Sequence, residues 1–257
     1  MVRGLYSAYN GMLSEQKRLE IISNNIANAA TVGYKSEGVT NQSFDSVYTL
    51  KIKDATNGFV DERIGSMSLG SKIGEVYTNY NQGSVRQTGN TYDLTMEGQG
   101  FFTVSVMDSE GNESIKYTRD GSFKLGSDGS LLDADGNHIV GQGGNINIPT
   151  DASEVTIDAL GGIYADGTYV DSLKITDFTN YDYIKKFGNN LYEAVEGAEE
   201  IEATGTVRQG FLEQSNVNSV SEMVNMIAIT RSYEANQKVI NTVDSMLDKA
   251  VNTVGRV

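Results

Sequence analysis

Residues 216–254 read NVNSVSEMVNMIAITRSYEANQKVINTVDSMLDKAVNTV, and this stretch decides the fold class. No proline or glycine interrupts the chain from Ser219 to Val254, and Gly255 follows. Val220, Val224, Ile227, Ala228, Ala235, Val239, Val243, Met246, Ala250 and Val254 fall roughly on one face of a helix, broken by Arg231 and Glu234. Ser219 and Glu222 fit an S-x-x-E capping box at its start. A globular helix averages about 11–12 residues. A much longer helix with a narrow apolar face predicts helix-on-helix packing instead of burial in a core.

The other end of the chain matches this description. Over residues 3–30, Leu5, Met12, Leu19 and Ile26 repeat at seven-residue spacing, with Ala8, Glu15, Ile22 and Ala29 as the second seam position. This is an amphipathic helix with a narrow stripe, of the kind that pairs with another helix. Gly33 is its expected stop. Between the helices the pattern changes to short β-rich runs. Asp120-Gly121, Asp128-Gly129 and Asp135-Gly136 punctuate the runs from Ile115 to Val140, and read as the type I′ turns of a β-meander. Residues 153–157, 162–164, 172–176 and 191–194 continue it, whereas residues 36–91 carry no readable periodicity. The fold class is therefore α+β: long N- and C-terminal helices packing as a coiled-coil-like pair, with a central antiparallel β-rich domain. The expected divisions are 1–35 and 211–257 for the two helices, 36–91 for an extended linker and 92–210 for the β domain.

Composition limits the chemistry. The 257 residues carry 20 Lys and Arg against 34 Asp and Glu, a net charge of −14. Such a chain repels phosphate backbones and anionic lipid heads, so neither nucleic acid nor membrane insertion is expected. There is no cysteine and a single histidine, His138, which leaves no thiolate nucleophile and no His-cluster metal site. No cofactor is expected. His138 follows a tight turn and no G-x-S-x-G elbow exists, so a polar strand-end role outweighs a catalytic one. Asp133-Ala134-Asp135-Gly136-Asn137 places glycine at position four, not six, of a would-be calcium loop, and reads as a turn. Ala27-Asn28-Ala29 looks like a cleavage site, but Glu15, Lys17, Arg18 and Glu20 precede it where an apolar run is needed, so no signal peptide is read. Asn24, Asn25 and Asn28 are poor helix formers. They mark either a frayed, solvated helix end or amides that pair with another backbone or subunit, and both readings stay open.

Three separated motifs carry a family resemblance. Residues 22–35, ISNNIANAATVGYK, closely resemble the N-terminal signature of bacterial flagellar rod and hook proteins, N-N-[LI]-A-N-x-x-T-x-G-[FY]-K. Residues 93–102 (DLTMEGQGFF) and 117–123 (YTRDGSF) are similar to the β-domain signature of that family. Residues 209–217 (QGFLEQSNV), followed by Glu222-Met223-Val224-Asn225-Met226-Ile227 and Arg231-Ser232-Tyr233-Glu234-Ala235-Asn236, look like its C-terminal motif. Hook proteins usually add an outer domain for which this chain has little room, so the resemblance implies a rod protein, the distal rod ahead of the proximal, with a hook-type axial protein as the alternative.

The resemblance also implies a structural subunit, not an enzyme. It would polymerise helically with copies of itself into a hollow drive shaft of the basal body, and meet adjacent rod and hook proteins, the export apparatus, and chaperones or caps. Export across the inner membrane would cleave no signal peptide. The expected assembly residues are Leu5, Met12, Leu19, Ile22, Asn24, Asn25, Ile26, Asn28, Gly33 and Tyr34 at one end. At the other they are Glu222, Met223, Val224, Ile227, Arg231, Tyr233, Val239, Val243 and Met246. Leu5, Met12, Leu19, Ile22 and Ile26 are expected to meet Val224, Ile227, Val239, Val243 and Met246, within or between subunits. Until they do, both ends are expected to be partly disordered. The competing readings are a hydrolase, for which His138 would be essential, and a calcium or glycan binder, which its ligand would stabilise.

Overall fold

The computed structural model describes residues 2–51, 62–68, 70–107, 111–188 and 190–255. The chain divides into two compact units. A helical unit comprises Met1–Ala27, Glu37–Asn79 and Asn218–Val257, and a β-body comprises Asn28–Ser36 and Tyr80–Val217. The architecture is α+β.

In the helical unit, α1 (Val2–Ala27) packs along α2 (Ser219–Lys249), which continues into a π-helical turn, Ala250–Val254. The shielded positions of α2 are Ser219, Glu222, Met226, Ile229, Tyr233, Asn236, Ile240, Val243 and Leu247, with Ala250 just beyond it, in steps of three and four. On α1 they include Leu5, Ala8, Met12, Glu15, Leu19, Ile22 and Ile26, again in steps of three and four. That spacing averages about 3.5 residues, which keeps a seam facing its partner along a helix. The α2 seam is apolar at Met226, Ile229, Tyr233, Ile240, Val243, Leu247 and Ala250, but the outward face is apolar as well. Of the residues expected to meet α1, Val243 is half-buried, but Val224 and Ile227 are 61% and 55% exposed, and Val239 and Met246 also face outward. Within the chain, therefore, these four do not line the α1 seam. Glu222 and Asn236 hold seam positions while the outer face carries valines and Ile227, so apolar content alone does not tell the two stripes apart.

The helix ends also differ from expectation. Asn218, not Ser219, is the N-cap of α2, its side chain accepting from the Ser221 N–H at 3.1 Å. A side-chain oxygen must stand one residue before the first helical turn to reach that orphan donor. Helix α1 stops at Ala27, six residues before Gly33. Between the helices, β1 (Glu37–Ser43) pairs antiparallel with β4 (Ser71–Thr78), and β2 (Val47–Lys51) with β3 (Glu62–Met67). The Phe44 N–H donates to the Gly70 carbonyl at 3.0 Å, joining the two pairs into one ribbon. The sequence did not reveal it because most described side chains of β1 and β4 are only half-buried or exposed. Without a buried face there is no period-two alternation to read. Within 36–91, residues 52–61 and 69 lie outside the described residues.

The β-body is antiparallel throughout its named ladders. Strands β5 (Val85–Gln87), β6 (Leu94–Glu97), β7 (Phe101–Met107) and β8 (Glu113–Thr118) lead into β9 (Lys124–Leu125), β10 (Leu131–Leu132), β11 (His138–Gly141) and β12 (Gly144–Asn145). Next come β13 (Val155–Ile157), β14 (Gly162–Ala165), β15 (Thr168–Ser172) and β16 (Ile175–Phe178). The last five are β17 (Ile184–Phe187), β18 (Leu191–Ala194), β19 (Glu200–Glu202), β20 (Thr206–Gln209) and β21 (Phe211–Glu213). The main sheet runs β17-β18-β8-β7-β11-β10-β9, β13-β14-β15 form a second, and β20 pairs β6 while β21 pairs β5. Leu94, Phe102, Val104, Phe123, Leu131, Ile139, Ile148 and Ile163 centre its larger core.

Two of the three Asp-Gly pairs make hairpins. In each, the glycine alone has positive φ (87° at Gly129 and Gly136), and its N–H donates three residues back, to Gly126 at 3.1 Å and Asp133 at 3.0 Å. This is a type I turn closed by a left-handed glycine, not the type I′ turn expected. Asp120-Gly121 is not a hairpin. Strands β8 and β9 lie on opposite sides of β7, and the Gly121 carbonyl instead accepts from the Leu94 N–H at 2.9 Å. His138 stands in β11, opposite Ser105 and Leu132.

Candidate functional site

In the β-body, segments distant in sequence converge on residues 28–36. Thr31 folds back on Asn28, its N–H and hydroxyl donating to the Asn28 carbonyl and Oδ1, each at 3.2 Å. Gly33 has φ +67°, and its N–H donates to the Glu213 carbonyl at 2.8 Å. A Cβ there would lie 2.5 Å from the Arg119 carbonyl carbon, so the turn admits glycine for both conformation and space. Tyr34 is fully buried, with the Lys186 ammonium 3.9 Å from its ring centre. Asn190 ties this segment down, donating from Nδ2 to the Val32 carbonyl at 2.8 Å and to Asp120 Oδ2 at 3.1 Å. Asn216 does so from the C-terminal side. Its Oδ1 accepts the Ser36 N–H at 2.8 Å, and its Nδ2 donates to the Asn81 carbonyl at 3.0 Å.

An ion cluster lies beneath these contacts. Lys35, Glu213 and Arg119 are 1%, 1% and 4% exposed. Lys35 Nζ donates to Glu213 Oε1 at 2.5 Å and to the Asn81 carbonyl at 3.0 Å. Arg119 contacts Glu213 Oε2 at 3.4 Å and donates to the Gly98 carbonyl at 2.7 Å, and the Gly83 N–H donates to Glu213 Oε1 at 2.8 Å. Burial pulls the Lys35 ammonium below its ordinary pKa, against the opposing pull of Glu213. Burial also raises two nearby carboxyls, Asp120 and Asp133, the latter to about 6. The sequence motifs contain Lys35, Arg119, Glu213 and Asn216, yet sequence reasoning gave them no role. The available signal was their charge and polarity inside otherwise apolar or turn-forming motifs.

The helical unit offers a different surface. Asn25 is buried, and its amide pairs with the Glu37 backbone like a strand residue. Nδ2 donates to the Glu37 carbonyl at 2.8 Å, and Oδ1 accepts its N–H at 3.0 Å. Of the two open readings for the asparagines, Asn25 takes amide pairing. Asn24 is exposed and Asn28 half-buried. Ile22 is buried, Leu5, Met12, Leu19, Ile26, Glu222, Tyr233 and Val243 are half-buried, and Arg231 is exposed. Along the outer side of α2, Val220, Met223, Val224, Ile227, Val239 and Met246 are exposed, as are Tyr6, Tyr9 and Leu13 on α1. Among the described residues, no helix is long and apolar enough to cross a membrane, and no group of three His, Asp or Glu side chains is placed to hold a metal.

Known proteins match along nearly the whole chain. A family model described as flagella basal body rod protein matches residues 5–35. The flagellar hook protein FlgE/F/G D1 domain matches residues 95–165, and the flagellar basal body rod FlgEFG protein C-terminal region matches residues 208–253. The flagellar basal-body rod protein FlgG of Bacillus subtilis is 35% identical over 98% of this chain and 99% of its own length. This chain belongs to the flagellar basal-body rod protein family. The flagellar basal-body rod protein FlgG of Agrobacterium fabrum is also 35% identical, over 95% of this chain and 97% of the relative. The flagellar hook-basal body complex protein FlhO of Bacillus subtilis is 30% identical over the full length of both. The chain is thus a structural subunit of the flagellar basal-body rod, located in the basal body. The N- and C-terminal family matches include both α1–β-body segment 28–35 and strand β21, the two stretches that meet at the ion cluster.

Proposed function

We propose that this rod subunit polymerises with a helical, head-to-tail and side-to-side operator into a hollow drive shaft. The shaft transmits torque, and its lumen conducts exported subunits. Association of this kind does not close on itself. The observation that carries the reading is the outward apolar stripe of α2, Val220, Met223, Val224, Ile227, Val239 and Met246, with Tyr6, Tyr9 and Leu13 on α1. Exposed apolar groups aligned on one element mark an interaction surface. Each large side chain buried there adds about 1.5–3 kcal/mol at most. The half-buried residues of α1 and α2, with their 3.5-residue spacing, form a coiled-coil-like pair within the subunit, and the outer stripe serves its neighbours.

The partners are copies of the chain, adjacent rod and hook components, and the export machinery with its chaperones or caps. Export proceeds without cleavage of a signal peptide. The near-complete overlap with a rod relative favours a rod subunit over a hook subunit, and the Glu222–Ile227 run with the N-terminal signature favours the distal rod. We read the chain as non-enzymatic, with His138 in a strand-pairing position.

Ile227→Asp tests the assignment. Ile227 is exposed, so the substitution leaves the folded subunit intact while placing a charge in the proposed interface. The expected result is a monomer by sedimentation, with the wild-type unfolding transition, under conditions where the wild type forms polymer. Polymer at the wild-type yield would refute this use of the stripe.

A further inference from the structure

The buried cluster at Lys35, Arg119 and Glu213 contains two cations and one anion, contributed by three separate parts of the chain. Among the described residues, Glu213 is the carboxylate in ion-pair contact with both. The β-body proper brings Arg119, the segment 28–36 brings Lys35, and β21 brings Glu213. We infer that the cluster is an ordered clasp, in which residues 211–216 dock on the β-body first and residues 28–36 dock only afterwards.

The order follows from the charges. If β21 docks alone, Glu213 meets Arg119 and the Gly83 N–H, and every buried charge has an opposite partner. If residues 28–36 dock alone, an ammonium is buried beside a guanidinium, with the Asn81 and Gly98 carbonyls and the Phe101 ring against them and, among the described residues, no carboxylate in ion-pair contact. Neutral carbonyls accept hydrogen bonds but do not neutralise charge, and an uncompensated buried charge is among the costliest defects a protein can carry. Two backbone donors lean the same way, beside the one reverse bond from the Asn216 N–H to the Tyr34 carbonyl at 3.3 Å. The Gly33 N–H donates to the Glu213 carbonyl and the Ser36 N–H to Asn216 Oδ1, so both acceptors are supplied by the C-terminal segment. The β21 side makes its own contact independently, the Gln214 N–H donating to the Ser84 carbonyl at 2.8 Å. A chain appearing N-terminus first would therefore hold residues 28–36 undocked until its C-terminal third was present.

Amide hydrogen exchange on the full chain tests this, with Gly33 and Ser36 reporting the N-terminal segment, Gln214 reporting β21, and Leu131, Ile146 and Ile148 reporting the body. In Glu213→Gln, Gly33 and Ser36 should exchange on the order of 100-fold faster or more while the body amides keep their protection. In Lys35→Met, Gln214 should stay protected. Adding Lys35→Met to Glu213→Gln should restore part of the Gly33 and Ser36 protection, because it removes one of two unpaired cations. Unchanged protection at Gly33 and Ser36 in Glu213→Gln would overturn the clasp. So would loss of body protection in that variant, which would make the cluster part of the global core, or a double variant no better protected than Glu213→Gln.

Discussion

At the scale of single residues, the three motifs are joined by polar atoms. Asn25, Asn190 and Asn216 each spend a side-chain amide on backbone groups that no ladder serves. Such groups must find partners when buried, and an amide side chain can serve a donor and an acceptor at once through two separate atoms. Asp133 shows the opposite situation, a carboxyl whose burial costs energy. Burial pushes its pKa up to about 6 in the folded protein from the ordinary 3.8, so the folded state holds the proton more tightly. The protein is therefore spared this cost below about pH 4, becomes less stable as pH rises toward 6, and carries the full cost above it. Chemical denaturation of wild type and Asp133→Asn from pH 4 to 7 should show the wild type losing roughly 2–3 kcal/mol that the variant keeps. Parallel curves would place the titration on another group.

At the scale of elements, α2 carries two faces with different work. Ile229 is 3% exposed on the seam, and Ile227, two residues earlier, faces outward. Ile229→Ala should cost about 2–4 kcal/mol in urea unfolding of the monomer, and Ile227→Ala under about 1 kcal/mol. Equal costs would mean that the α1–α2 packing is not what the burial pattern describes. The heptad of α1 was legible because its seam is mostly apolar. The α2 seam was not, since Glu222 and Asn236 hold positions on it while valines and Ile227 occupy the outside. A stripe that faces a neighbouring chain looks the same in sequence as one that faces the subunit's own partner helix. The ribbon β1–β4 was illegible for a related reason, its described strands lacking a buried face.

At the scale of the whole molecule, the net charge of −14 acts on assembly. Copies of so acidic a chain repel one another, and salt screens that repulsion over a Debye length of about 8–10 Å at physiological strength. If apolar stripes drive polymerisation, light scattering should show faster growth as sodium chloride rises from about 10 to 150 mM. Slower growth with salt would point instead to ion pairs across the interface. The same reasoning separates this surface from the Lys35–Glu213 pair, which is buried and screened much less.

The sequence alone determined the α+β class, the two long terminal helices, the places of two of the three expected Asp-Gly hairpins and the flagellar family. These rest on local chemistry: periodicity, φ at glycine, and motifs read in order. Tertiary structure decided which face of α2 meets α1, where Asp120-Gly121 leads, and why Lys35, Arg119 and Glu213 belong together. Those depend on pairings between distant parts of the chain, such as Lys35 with Glu213, 178 residues on, and the energy of a buried charge is set by its neighbours in space.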